Sequence, residues 1–221
     1  MKNNCFISVQ QARIMYNSGN EALKEIACST YTEKELVVDY KKITNFRKAC
    51  DALYLNYDEI KEKADTIYNI SKSSAAMFKL NIIRKALNLG QDLHLTKNPE
   101  DSYIYYPHNP FVTKSSTYYK SEIDSGKMEV IGKIKSEGEE YNVLGGYATF
   151  GGYATFGSYV GLGYFYYFDG VGYADADRGF FGCANKKIAQ HLGKYFGILI
   201  AEAKYADMIK DFEIVKSKYE N

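Results

Sequence analysis

The chain has 221 residues, which is long enough to bury a substantial core in one large domain or two small ones. Its 28 lysines and arginines nearly balance 27 aspartates and glutamates, so the net charge of +1 provides no broad positive field for duplex nucleic acid or an anionic membrane. We therefore expect neither of these as a partner. The 22 tyrosines, without any tryptophan, suit half-exposed sheets and contact surfaces.

The N-terminal segment and the cysteines bear on the cellular compartment. The first residues, MKNNCFISVQQ, lack an apolar stretch followed by a small-residue cleavage site, so no secretory signal is expected there. The longest apolar run, YFGILIA, is far shorter than the roughly 20 residues that cross a bilayer. The widely spaced cysteines are predicted to be reduced core thiols: Cys5, Cys28, Cys50 and Cys183. These features predict a soluble protein inside the cell that makes it.

Residues 1–90 are predicted to form short helices that pack as a small bundle, the first of two domains. Side chains able to cap a helix N-terminus recur ahead of apolar residues at helical spacing. The predicted caps are Ser8 and Thr32, each with Gln or Glu three residues later, then Asn20, Thr44 and either Ser73 or Ser74. The last of these helices is the longest and is predicted to end at Gly90.

Residues 91–221 are predicted to form the second domain, an antiparallel β-meander packed by a long C-terminal helix. The segment SYIYY is rich in aromatic and β-branched residues, as strands are. The turn DSG predicts a hairpin between TYYKSEI and KMEVIGKIK, in which Met128, Val130 and Ile134 share one parity. YNVLGGYATF and GLGYFYYFDG are predicted as further strands, and GFFGC as the last one. The predicted fold class is therefore α+β.

A six-residue repeat dominates the stretch GGYATFGGYATFGSYVG at residues 145–161. Strands have a period of two, so Phe150 and Phe156 have one parity, and the other is shared by Tyr141, Tyr147, Tyr153 and Tyr159. The glycine pair after Phe150 favours a turn, and we expect the two copies to pair there as a hairpin. Residues 141–169 are predicted to be ordered antiparallel strands, because disordered tracts are usually poor in aromatic residues.

From Ala184 the pattern is that of one long amphipathic helix, predicted to pack across one face of the sheet. Its apolar stripe comprises Ile188, Leu192, Tyr195, Phe196, Leu199 and Ala203. Gly193 and Gly197 form a small-xxx-small pattern within that helix. In a soluble protein we expect this pattern to let a strand approach the helix closely.

No motif in the chain is specific for catalysis, a metal or a cofactor. The glycine pairs are not followed by Gly-Lys-Ser/Thr, so no phosphate loop is predicted. DADRG, with Asp175 and Asp177, starts like a calcium loop, but Lys186 stands where the closing glutamate would be. A nucleophilic pair of Cys183 with His191 could form only in space, and we expect both residues to be structural. The sequence therefore predicts a protein without enzymatic activity and without a cofactor.

The tyrosines of the repeat region exceed what the core of one sheet face requires, so some are predicted to be exposed. Exposed tyrosine beside small residues is typical of a protein contact surface, or of a platform on which single-stranded bases stack. Base stacking expects interleaved basic residues, and Arg178 is the only one between Tyr141 and Phe181. A protein contact is therefore favoured, with a purely structural tyrosine ladder as the alternative. The predicted contact residues are Tyr141, Tyr147, Tyr153, Tyr159, Tyr164 and Tyr166.

Four segments flanking the repeat resemble a group of small uncharacterised proteins encoded by tailed phages and prophages of gut bacteria. They are FRKACDAL, AAMFKLNIIRKALNLG, SYIYYP and GFFGCANKKIAQHLGKYFGILIAEA. They are similar to that group's "ALN-G" helix, its "YYP" strand and its strand-to-helix end of the "ELA-Y-GKQF" kind. The group commonly carries tryptophan after "ALN-G" and before the last helix, where this chain has none. The resemblance implies a viral origin and synthesis in the cytoplasm of a bacterial host, and it implies no catalytic residue.

These observations predict a phage-encoded binding protein, without enzymatic activity, whose Tyr/Gly-rich β-surface engages a bacterial protein in the host cytoplasm. Its role would be to inhibit a host defence or to redirect a host machine. The alternative is a structural component of the virion, in the capsid or tail, that uses the same surface for lattice contacts. An enzyme whose site is assembled only in space ranks third. The sequence leaves open whether the chain forms a homo-oligomer.

Overall fold

The structure is a computed structural model that describes residues 7–16, 18–89, 103–117, 119–136, 138–152, 165–166, 173–174, 183 and 185–219. Within these ranges, only the backbone is described for residues 103–106, 147–152, 165–166 and 173–174. The described part of the chain has the predicted α+β fold, with helices, a four-stranded antiparallel sheet and two-stranded antiparallel ribbons.

Helices account for most of the described part of residues 1–90. They are α1 (Val9–Tyr16), α2 (Glu21–Thr30), α3 (Glu33–Leu36), the 3-10 helix Tyr40–Lys42, α4 (Phe46–Ala52), α5 (Tyr57–Tyr68) and α6 (Lys72–Leu87). Three predicted caps are confirmed. The backbone N–H of Gln11 donates to the Ser8 hydroxyl at 3.2 Å, and the Asn20 side chain accepts from the backbone N–H groups of Ala22 and Leu23. The Thr32 amide donates to the Glu35 carboxylate at 2.9 Å.

The caps of α4 and α6 are Asn45 and Ser71, so the predictions of Thr44 and of Ser73 or Ser74 are wrong. Asn45 lies next to the predicted cap and accepts a hydrogen bond from the Lys48 amide at 3.0 Å. At α6 the start of the helix is also fixed from far along the chain. The Asp207 carboxylate accepts the backbone N–H groups of Lys72 at 3.1 Å and of Ser73 at 3.3 Å, because it lies at the same helix terminus.

The strands form a four-stranded sheet in the order β2-β4-β3-β8, a ribbon of β1 with β5, and a short ribbon of β6 with β7. The strands are β1 (Tyr103–His108), β2 (Phe111–Thr113), β3 (Glu129–Ser136), β4 (Glu139–Gly145), β5 (Tyr147–Gly152), β6 (Phe165–Tyr166), β7 (Tyr173–Ala174) and β8 (Glu213–Ser217). Two more helices, α7 (Lys120–Asp124) and α8 (Lys186–Tyr205), complete the described elements. Neighbouring strands are antiparallel throughout.

Several strand predictions are wrong. TYYKSEI contains the helix α7 and does not pair with KMEVIGKIK, because both edges of β3 are taken by β4 and β8. The predicted common parity of Met128, Val130 and Ile134 is broken by a bulge after Val130, which leaves Val130 39% exposed while the other two are buried. The last strand is β8, which follows α8, whereas GFFGC was predicted to hold that place.

The first copy of the repeat forms β5 and pairs with β1, so the predicted turn after Phe150 is wrong. Gly151 and Gly152 continue the strand, opposite Ile104 and Tyr103. The glycine pair permits a turn without requiring one, and pairing with a strand some 45 residues away satisfies the same backbone groups. The second copy lies outside the described residues. Order as strands over residues 141–169 therefore stays a prediction beyond the segments that β4, β5 and β6 cover.

The predicted C-terminal helix is confirmed as α8, which packs against α6 on one side and against β1, β5 and β4 on the other. Its glycines permit the close approach that was predicted. A Cβ added at Gly197 would lie 2.4 Å from both Asn109 Nδ2 and Ile131 Cδ1. A Cβ added at Gly193 would lie 2.8 Å from the Cβ of Pro107. No side chain larger than hydrogen fits at these positions without movement.

Two large cores meet at α8. The helical core combines residues of α4, α6 and α8 with Cys183, whereas the sheet core combines β2, β3 and β4 with Ile198 and Ala201 of α8. A smaller core joins α1, α2 and α3. The helical core thus contains residues from both sides of position 90, and the division into two domains there stays a prediction. None of the described helices is both long enough and apolar enough to cross a bilayer.

Candidate functional site

The predicted contact tyrosines are placed unequally by the structure. Tyr141 lies in β4, where it is half-buried and packs against the sheet core. Tyr147 lies in β5 and Tyr166 in β6. Tyr153, Tyr159 and Tyr164 lie outside the described residues.

Tyr141 and Tyr147 have the same parity in the sequence, but they do not lie in one continuous strand. Gly146, between β4 and β5, has a φ of +98°, so the chain leaves one sheet and enters the other at that residue. The two tyrosines therefore belong to different sheets. Among the described residues, strand parity therefore relates the tyrosines of the repeat only within β5.

The ribbon of β1 and β5 lies against α8. The register of the two strands shows which alternate residues of β5 are on the side of α8 and which are on the other side. Ala148 stands opposite Pro107, the residue that approaches Gly193 of α8. Residues directly opposite each other in an antiparallel pair share a face. The parity of Ala148, to which Phe150 also belongs, therefore faces α8.

Tyr147 has the other parity in the ribbon. It stands opposite His108, whose Nε2 lies 3.0 Å from the hydroxyl of Tyr119. Tyr119 precedes α7 and does not belong to α8. The parity of Tyr147 thus belongs to the ribbon face that is turned away from α8, and we call this the outer ribbon face.

A second candidate site is a cleft at the base of the ribbon, which we call the lysine cleft. It has a volume of about 510 Å³. Its lining comprises Tyr40, Lys41, Gly126, Lys127, Gly146, Lys187, Gln190, His191, Lys194 and Tyr195. Four of these residues are lysines and none is acidic, although the whole chain is nearly neutral. Among them, only His191 and Tyr195 were singled out from the sequence, and neither as part of a binding site.

Three parts of the fold converge on the lysine cleft. The residues from α8 recur at helical spacing, with Lys187, Gln190 and Lys194 one turn apart on one side of the helix. The 3-10 helix adds its residues from the N-terminal region. Gly126 and Gly146 both have positive φ, and a Cβ on Gly146 would lie 3.3 Å from the Lys127 carbonyl oxygen. The two turns are thereby held against each other.

His191 is enclosed by aromatic rings on the wall of the lysine cleft. Its ring centroid is 4.5 Å from that of Tyr195 and 5.4 Å from that of Tyr40. Its Nε2 lies 2.7 Å from the Ile43 carbonyl oxygen, so that nitrogen carries the proton and donates it. Burial lowers the pKa of His191 below its usual value, although the hydrogen bond to Ile43 opposes this effect. The imidazole is therefore neutral at pH 7.

Lys194 is held in place by a carboxylate outside the cleft lining. Its Nζ lies 2.7 Å from Glu129 Oε1, and Glu129 also pairs with Lys218 and accepts from the Tyr219 hydroxyl at 3.1 Å. Burial opposes ionisation of Glu129, but the hydrogen bonds from Lys194 and Lys218 outweigh it and lower the pKa of that carboxyl. The hydrogen bond to Glu129 in turn raises the pKa of Lys194. This network ties α8 to β3 and to the end of β8.

Cys28, Cys50 and Cys183 are reduced thiols, as predicted. Cys50 and Cys183 are buried, but Cys28 is exposed on α2, so its assignment as a core thiol is wrong. Cys5 lies outside the described residues. Burial raises the pKa of Cys183 to about 12 and that of Cys50 to about 11. A buried, protonated thiol is the opposite of the thiolate that nucleophilic catalysis requires, so Cys183 has a structural environment.

The described residues contain no group of three or more His, Cys, Asp and Glu side chains arranged to hold a metal ion. The predicted calcium-like segment with Asp175 and Asp177 lies outside the described residues. Comparison with protein families, with curated proteins and with solved structures finds no match for this chain. The outer ribbon face and the lysine cleft are the candidate sites in the described part of the chain.

Proposed function

We propose that this chain is a non-enzymatic, phage-encoded binding protein that engages a bacterial host protein through the outer ribbon face. Its role would be to inhibit a host defence or to redirect a host machine in the bacterial cytoplasm. The observation that carries the proposal is the register of β1 with β5, which assigns Tyr147 and Ala148 to opposite faces of a ribbon packed on α8.

The way the ribbon is held supports its use as a contact surface. A two-stranded ribbon alone is only marginally stable in water, and both strands of this one pack against α8. Gly193 lets Pro107 of β1 sit against the helix backbone. Binding aromatics are most effective when the element that bears them is already ordered, because little conformational entropy is then lost on association.

The composition of the repeat supports a protein partner. Tyrosine offers a large, rigid contact area with a hydroxyl at its tip, and aromatic residues are enriched at the energetic centres of interfaces. The threonine, alanine and glycine between the tyrosines are small, a composition typical of contact surfaces in which tyrosine carries the binding. The near absence of basic residues from this stretch disfavours single-stranded nucleic acid as its partner.

The experiment captures partners of the full chain from infected bacteria and compares three forms of the protein. These are the unchanged chain, a variant with Tyr147, Tyr153 and Tyr159 replaced by Ala, and the control Tyr68→Ala. Tyr68 is 44% exposed on α5, away from the ribbon, so it controls for the loss of a surface tyrosine. The proposal expects a host protein retained by the unchanged chain and by the control but lost by the triple variant.

Two other outcomes would decide against the proposal. Equal retention by all three forms, with the triple variant folded, would show that the repeat is a structural ladder. Stoichiometric presence of the chain in purified virions, measured by mass spectrometry, would favour a structural component of the capsid or tail.

A further inference from the structure

We propose that the lysine cleft binds a small phosphorylated ligand of nucleotide size, whose phosphate groups contact the lysines and whose ring lies against the aromatic wall. This site is distinct from the outer ribbon face, and the inference does not depend on the proposed function. It is carried by the charge, the size and the chemical composition of the cleft.

The lining of the cleft is positively charged. Lys41, Lys127 and Lys187 are exposed and form no ion pair with any described residue. They come from three separate parts of the chain: the 3-10 helix, the turn before β3 and α8. Like charges that line one cleft repel one another, and an anion bound there relieves this repulsion. The arrangement therefore favours an anionic ligand.

The carboxylates near the cleft do not cancel this charge. Glu129 neutralises Lys194 from outside the lining, as described above. Asp39 precedes the 3-10 helix and accepts the backbone N–H of Lys41 at 3.1 Å, so it serves as a helix cap. The hydrogen bond from Ser121 and, to a smaller extent, the charge of Lys127 lower the pKa of Glu122, so this third carboxylate also lies near the cleft. Four lysines face these three carboxylates, and Glu129 is shared with Lys218, so positive charge remains in excess. An anionic ligand matches that excess.

The chemistry of the lining favours phosphate as the anion. Lysine binds phosphate as a mobile point charge, and it can follow the several oxygens of a di- or triphosphate. The neutral imidazole of His191 leaves the lysines as the source of positive charge at pH 7. Binding is therefore expected to weaken steeply with added salt, because the contacts are solvent-accessible ion pairs.

The size and the aromatic wall indicate a ligand larger than free phosphate. A volume of about 510 Å³ falls within the roughly 300 to 1,000 Å³ usual for small-molecule sites. Tyr40, His191 and Tyr195 line the cleft as a group of contacting rings, and the Gln190 amide adds a group that can both donate and accept. Together these features fit a nucleoside phosphate. The cleft is a local concavity and offers no extended basic track for a duplex.

The test measures binding of ATP, inorganic triphosphate, adenosine and a 12-nucleotide oligothymidylate to the full chain by calorimetry. The proposal expects ATP to bind most tightly, triphosphate to bind more weakly, and adenosine to bind least. Triphosphate binding as tightly as ATP would retain the phosphate site and overturn the role of the aromatic wall. Binding of the oligonucleotide alone would overturn the proposal in favour of single-stranded nucleic acid.

A matched pair of variants shows whether the cleft is the site. Lys127→Ala combined with Lys187→Ala should weaken ATP binding by about tenfold or more, because two phosphate contacts are lost. Lys34→Ala combined with Lys63→Ala removes the same charge from exposed positions on α3 and α5 and should leave the affinity within about twofold. Equal losses in both pairs, or no binding of any phosphate probe at about 1 mM, would overturn the proposal.

Discussion

The two sides of α8 are built in opposite ways. Toward the helices it presents large side chains, and Leu192 and Phe196 are at most 1% exposed within the helical core. Toward the strands it presents Gly193 and Gly197, against which Pro107 and Ile131 approach the helix backbone. The helical side is stabilised by the burial of large side chains, and the strand side by the close approach of the strands to the helix backbone. Removing a side chain should therefore destabilise the helical side, and adding a methyl group should destabilise the strand side.

Phe196→Ala should give the largest effect. The ring is fully buried among α4, α6 and α8, so its removal should lower the free energy of unfolding by roughly 3 to 5 kcal/mol through lost burial and a residual cavity. Denaturant unfolding followed by circular dichroism measures this. Met208→Ala is the control, because Met208 is 80% exposed and its removal should cost little. Similar losses in the two variants would contradict the account of the helical side.

Gly197→Ala should lower the free energy of unfolding by less than Phe196→Ala does. The sign of this change is informative, because helix propensity and packing act in opposite directions. Helix propensity alone favours alanine over glycine by about 1 kcal/mol. The added methyl, however, would sit 2.4 Å from both Asn109 Nδ2 and Ile131 Cδ1. The Asn109 amide cannot move freely, because it donates to the carbonyls of Leu144 at 2.9 Å and of Gly193 at 2.8 Å. Overpacking typically costs about 1 to 3 kcal/mol, so after the gain in helix propensity we expect a net destabilisation of up to about 2 kcal/mol in denaturant unfolding. A net gain in stability would mean that close approach is not required there.

Protonation of His191 should give the smallest effect, visible as a dependence of the free energy of unfolding on pH. Its pKa is lower in the folded chain than in the unfolded chain, so below about pH 6.5 the unfolded state takes up its proton first. Stability should fall with decreasing pH in that window, by at most about 1.4 kcal/mol per pH unit from this group, and should not respond to it at higher pH. Asp39 and Lys194 are the charged groups that influence it.

His191→Gln removes the titrating group while keeping a side chain that can donate to the Ile43 carbonyl. The free energy of unfolding is measured against pH for the unchanged chain and for His191→Gln. The difference between the two profiles isolates the contribution of the His191 proton. The difference should grow below about pH 6.5 and be constant above it. A constant difference across the whole range would mean that His191 keeps its ordinary pKa in the folded chain.

The helical region and α8 were largely predictable because their signals are local. Caps such as Asn20 and the Thr32–Glu35 pair act within one helical turn, and so they can be recognised in the sequence. The cap of α6 was missed because Asp207, distant in sequence, helps to fix where that helix starts. Errors of one to three residues follow when neighbouring residues can all serve as caps.

The strand partners and the lysine cleft were not predictable, because both depend on contacts between distant segments. The repeat defines a parity, but nothing in it selects β1 over the second copy as the partner of β5. The bulge after Val130 likewise arises in a strand paired on both edges. For the cleft, the polar spacing of Lys187 and Lys194 on α8 was the available signal. The convergence of Lys41 and Lys127 with that helix could not be inferred from spacing.

The contrast between the two parities of β5 gives the most direct test of the proposed contact surface. Tyr147→Ala and Phe150→Ala are each compared with the unchanged chain for melting temperature and for affinity to the captured host protein. Tyr147→Ala should keep its melting temperature and lose about 2 kcal/mol of binding free energy, roughly thirtyfold in affinity. Phe150→Ala, on the parity that faces α8, should be destabilised by roughly 3 kcal/mol or more and lose both properties. Unchanged affinity and melting temperature in Tyr147→Ala, or melting of that variant as severe as that of Phe150→Ala, would contradict the account.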